Sequence, residues 1–146
     1  MPSNSYDGIS GYYPGMSQPR QRKRRDEPLP PSTALVLRGD ELNPDELAET
    51  ADDNFAVYGF YGISVFAEVN GMVLDTIAAQ KLARNEWLAV FTAGDLLGAG
   101  LDLWDTGQSP HYDVVHEDKA QLVALMVGCP HRLVRNAHYE PPEGGA

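Results

Sequence analysis

The sequence predicts one small domain of the α/β or α+β class: a mixed sheet of four to five strands with about three helices, behind a disordered basic tail. Three observations carry that expectation. Between residues 34 and 136, short apolar runs alternate with amphipathic stretches of helical period, the pattern of strands packed against helices. A chain of 146 residues suits one core rather than two, since single cores run to about 100–150 residues. Its 42% apolar and 22% charged content is ordinary for a chain that offsets its ordering entropy by burial.

Charge divides the chain. The whole carries −10, but residues 1–33 hold Arg20, Arg22, Lys23, Arg24 and Arg25 against Asp7, Asp26 and Glu27, so the remaining residues carry −12. This first segment is rich in Pro, Gly, Ser and Tyr, has no periodic apolar face, and is expected to be disordered. Its run RQRKRR has the composition that gains affinity for nucleic-acid phosphates by counterion release. No base-reading helix or stacking platform follows it, so a solvated tail, or one that folds back on the acidic body, is the preferred reading. The expected domain spans residues 34–140, and 141–146 form a second loose tail.

The elements follow in order. ALVLR, bounded by Pro-Pro, reads as a first strand over Ala34 to Arg38. NPDELAETADDNF opens a helix with Asn43 as N-cap, Pro44 at the first helical position, and Asp45 and Glu46 where the helix dipole favours acids. YGISVFAEV is β-branched and aromatic, a second strand entered through Gly59 and Gly62. GMVLDTIAAQKLAR places Val73, Leu74, Ile77, Ala78, Lys81 and Leu82 at helical spacing. EWLAVFT is a third strand, AGDLLGAGL a short helix ending at Gly98 or Gly100, and LWDTGQSPHY a loop. YDVVH is a fourth strand, EDKAQLVALMV a helix and HRLVR a last strand.

Several functions are excluded or disfavoured. The chain has no GxxxxGK[ST], GxGxxG, HExxH or CxxC motif. No apolar run approaches the ~20 residues of a membrane span and no secretory signal opens the chain, so a cytoplasmic protein is expected. Cys129 stands alone, as a small buried residue in a reducing compartment would. The four histidines, 111, 116, 131 and 138, with Asp113 and Cys129 have weak spacing for zinc and read as ordinary surface or core residues.

Polar residues at strand ends are the chemical signal, because open α/β folds place ligand sites there. Arg38 and Gly39 close the first strand, Ser64 sits in the second, and His111, Tyr112, Asp113, His116 and Glu117 bracket the fourth. LVLRGDEL, YGFYGISVFA and YDVVHED resemble the ordered signatures of the ADP-ribosyltransferase superfamily. The resemblance implies an NAD-using enzyme or toxin-type effector. Arg38 would contact the dinucleotide, the Gly39 backbone would hold the nicotinamide amide, and Ser64 would support the site. Glu117 or Asp113 would bond the nicotinamide ribose, with Tyr61 and His111 completing the NAD-binding set. A carboxylate there would stabilise the oxocarbenium ion that forms as nicotinamide leaves.

Each residue also has an ordinary structural use: Arg38 in an ion pair, Ser64 on a neighbouring carbonyl, Glu117 near a helix N-terminus. A second hypothesis of a different class is a non-catalytic acidic module that docks a basic partner protein, with the basic tail as a further contact. The Ala, Asp, Gly and Leu bias suggests a bacterial or phage source of high GC content.

Overall fold

The computed structural model describes residues 29–106 and 109–142 and the backbone of residues 23–24. The strands are β1 (Lys23–Arg24), β2 (Ala34–Arg38), β3 (Gly62–Ala67), β4 (Trp87–Thr92), β5 (Asp102–Asp105), β6 (His111–Val115) and β7 (Arg132–Arg135). The helices are α1 (Pro44–Tyr58), α2 (Leu74–Gln80), α3 (Ala93–Gly98) and α4 (Lys119–Gly128). One sheet runs in the order β1-β5-β6-β3-β2-β4-β7, and every neighbouring pair is antiparallel.

The period of two along each strand sorts residues onto two faces. Leu35, Leu37, Ile63, Val65, Ala89, Phe91, Leu103, Tyr112 and Val114 point to the first face. There they pack with Leu47 and Ala51 of α1, Leu96 of α3, and Leu122 and Met126 of α4. On the second face Val36 and Leu88 meet Ile77 and Ala78 of α2 and Leu82 beyond it. Toward β5 and β6 the same face carries Ser64, Asp113 and Trp104, aligned in one cross-strand row.

Local chemistry sets the helix ends. The Asn43 side chain accepts the Glu46 N–H at 2.9 Å, Pro44 follows it, and Gly59 closes α1 at φ 83°, a conformation costly for a side chain with Cβ. Thr92 caps α3 through the Asp95 N–H, and Asp118 caps α4 through the Gln121 N–H, each at 3.1 Å.

The class and the single domain are as the sequence predicts; the details differ in four respects. The sheet is wholly antiparallel rather than mixed, because periodicity reports which face a residue uses and not the direction of its strand. It has seven strands, not four to five, and the helices number four among the described residues. Leu103–Asp105, expected in a loop, belongs to a strand, β5 (Asp102–Asp105): DLWD has only two apolar residues, and pairing with β6 decides its state. Part of the stretch expected to be disordered before Ala34 belongs to the domain: Lys23–Arg24 pairs with β5, Leu29 is buried in the first core, and the Pro31 carbonyl accepts the Gly94 N–H at 2.9 Å. Of the expected disordered tail, residues 1–22 and 25–28 lie outside the described residues, as do 143–146 of the second tail.

Candidate functional site

The sheet end where β3 begins and β6 finishes holds a cleft of about 390 Å³. It is lined by Phe55 and Gly59 from the end of α1, Phe60 and Tyr61 from the turn into β3, Asp102 and Trp104 from β5, and His116 and Glu117 after β6. Gly62 makes the arrangement fit, since a Cβ there would lie 2.7 Å from Phe60 Cε2 and 3.2 Å from Asp113 Oδ1. The Phe60 ring therefore folds over the sheet and meets Trp104 at a centroid distance of 5.2 Å. Phe55 stacks on Tyr61 at 4.5 Å and remains 46% exposed, a large apolar ring presented to solvent.

Asn54 fixes this end of the sheet. The β2–β3 ladder pairs Leu35 with Ala67 and Val36 with Phe66. At the start of β3 the Asn54 Nδ2 donates to the Gly62 carbonyl, tying α1 to the strand that leads out of the cleft. His116 Nδ1 accepts the Asp118 N–H at 2.9 Å, so a neutral His116 carries its proton on Nε2.

The residues singled out in the sequence divide into three places. Tyr61 and Glu117 line the cleft. Ser64 and Asp113 are cross-strand partners farther along β3 and β6 and are not among the residues that line it. Asp113 is fully buried, and its Oδ2 accepts the Thr106 hydroxyl at 2.5 Å. His111 Nδ1–H donates to the Thr106 carbonyl at 2.8 Å, so Thr106 joins His111 to Asp113 across the β5–β6 connection. Arg38 and Gly39 do not line the cleft. Arg38 Nη1 lies 3.5 Å from Glu41 Oε2, and a Cβ on Gly39 would meet the Trp87 carbonyl oxygen at 2.6 Å. The glycine thus lets the backbone pass close to β4.

Burial raises the pKa of Glu41, which the Arg38 guanidinium opposes, and its Oε1 has no hydrogen-bond partner among the described residues. Burial, with a smaller contribution from Asp95, likewise raises the pKa of the Cys129 thiol, leaving little thiolate for nucleophilic chemistry.

Phe55, Phe60, Asp102 and Trp104 are the cleft residues that the sequence reading did not select. For Phe55 and Phe60 the signal is aromatic density in NFAVYGFY, which reads equally well as core, and only Phe55 is strongly exposed; nothing local singles out Asp102 and Trp104 in DLWD. Among the described residues, no three His, Cys, Asp or Glu side chains come together as a metal site, and no helix is long and apolar enough to cross a membrane. Comparison of the chain with family models, with curated proteins and with solved structures gives no match.

Proposed function

We propose that this protein is a binding module that takes a cationic side chain of a basic partner protein into the aromatic cleft. The observation that carries the reading is the lining: four aromatic rings, the carboxylates of Asp102 and Glu117, and no lysine or arginine among its described residues. A guanidinium or ammonium over an aromatic face is attracted by the ring quadrupole, and nearby carboxylates add Coulombic attraction. The net charge of −12 outside the first 33 residues steers a basic partner toward the body. Such a lining is poorly suited to a pyrophosphate, which calls for basic groups or backbone N–H donors.

Titration of the full chain with N-acetyl-arginine methylamide, followed by calorimetry, tests the reading. Saturable binding that weakens with salt and is lost in Phe55→Ala supports it. Absence of saturable binding, or binding indifferent to Phe55→Ala, overturns it.

A second reading, an NAD-using transferase, is favoured by one observation: Tyr61 and Glu117, both selected by the resemblance, line the same cleft. If it holds, NAD at a hundredfold excess over its dissociation constant adds about 2.7 kcal/mol of stability, and Glu117→Gln retains NAD binding while abolishing transfer. No heat and no thermal shift with NAD would remove it.

A further inference from the structure

The outer edge of β5 borders the cleft, since Asp102 and Trp104 belong to both. The strand reads DLWD, acidic at each end. Its edge is covered in an unusual way: β1 is only two residues long and is drawn from the basic run, with Lys23 in register with Asp105 and Arg24 with Trp104. The remainder of the sheet closes without it, because β5 is already paired to β6 over four residues.

We infer that the outer edge of β5 is a docking edge for an extended arginine- and lysine-rich segment of a partner, and that Lys23–Arg24 of the chain itself holds this edge until such a segment displaces it. The inference rests on the cleft reading, which supplies the place for a basic side chain of that segment.

Three arguments select this occupant. A sheet edge offers a row of backbone donors and acceptors that an extended segment of any sequence can pair with, so side-chain chemistry must provide the selection. Here Asp102 and Asp105 favour a basic strand. At the opposite edge β7 reads RLVR with Arg132 and Arg135 exposed, so the same segment meets like charge there. Finally, a two-residue ladder is a short hold, and it is an intramolecular one, since β1 and β2 belong to the same chain. Tethering gives a high effective concentration without any additional contact, so a longer basic segment with more ladder bonds can compete once it is present in excess.

The test uses a fluorescein-labelled peptide with the sequence of residues 19–25, PRQRKRR, added to the full chain and to the full-chain variant Lys23→Pro, Arg24→Pro. Neighbouring residues of a strand turn their N–H groups to opposite sides, so proline at both positions removes the one that faces β5 and thereby vacates the edge. The peptide is expected to bind this variant at least about tenfold more tightly than the unaltered chain, and Asp105→Lys in the variant background should abolish that gain. Equal affinity for the two proteins, or no binding to either, overturns the inference. Peptide binding that is lost with Phe55→Ala but unaffected by Asp105→Lys also overturns the docking edge while leaving the cleft reading intact. Arginine-amide binding lost in the unaltered chain, with the proline-variant gain preserved, would overturn the cleft reading instead.

Discussion

The Trp104 indole N–H donates to Asp102 Oδ2 at 3.0 Å, while Asp102 Oδ1 accepts the Leu103 N–H at 3.0 Å. Both carboxylate oxygens are therefore engaged, and the charge is held at a set place beside the indole. Asp102→Asn keeps an oxygen acceptor for one of these bonds and removes the charge. It is expected to change stability by under about 1 kcal/mol, while weakening arginine-amide binding by about five- to tenfold, the scale of one partly desolvated ion pair or cation–π contact. Trp104→Phe should do the reverse in part: it retains a ring but loses the donor, costing about 1 kcal/mol or more of stability. Denaturant titration alongside calorimetry separates the two effects. Equal binding losses without any difference in stability between these variants would count against the division of roles.

Gly39 separates site from scaffold. Its missing side chain accommodates the β4 backbone, with the Trp87 carbonyl oxygen 2.6 Å from a built Cβ. Backbone cannot swing aside as a side-chain end can. Gly39→Ala is thus expected to cost about 2 kcal/mol or more, in the range of overpacking at a tight contact, with arginine-amide affinity unchanged in the fraction that stays folded. Full stability with loss of ligand binding would return Gly39 to the site.

Legibility in the sequence followed the range of the interactions. The α1 start was readable because Asn43, Pro44 and Glu46 act on one another over three residues. The β2 limits were readable because Pro-Pro and Arg-Gly bracket an apolar run. Asn136 was not. It is buried, and its Nδ2 donates to the carbonyls of Leu82 at 2.9 Å and of Ala78 and Asn85 at 3.2 Å, tying the chain after β7 to the α2 region. Those partners lie more than fifty positions away, so nothing around Asn136 announces them. The cleft failed to be read for a related reason. Phe55, Phe60 and Trp104 have the composition of core, and only the α1 stop at Gly59 and the β5–β6 register place them around one opening. Arg38 and Ser64 were correctly placed on strands, but strand placement alone could not show that Arg38 reaches Glu41 while Ser64 pairs with Asp113.

Glu41 provides a pH test with a defined sign. Its side chain is 21% exposed, and burial raises its pKa above 4.5 despite the opposing charge of Arg38. The folded protein therefore holds the Glu41 proton more tightly than the unfolded chain does. The stability linked to that proton is fully present below the unfolded value and is lost as pH rises through the higher folded value. Glu41→Gln removes this titration and keeps a neutral side chain of similar shape. The variant should thus gain stability relative to the unaltered protein as pH increases from below 4.5 toward neutrality, and the difference should level off above the folded value. Chemical denaturation across that window measures it. A stability difference that is flat with pH, or that moves in favour of glutamate as pH rises, would mean that the Arg38 ion pair outweighs burial at this position.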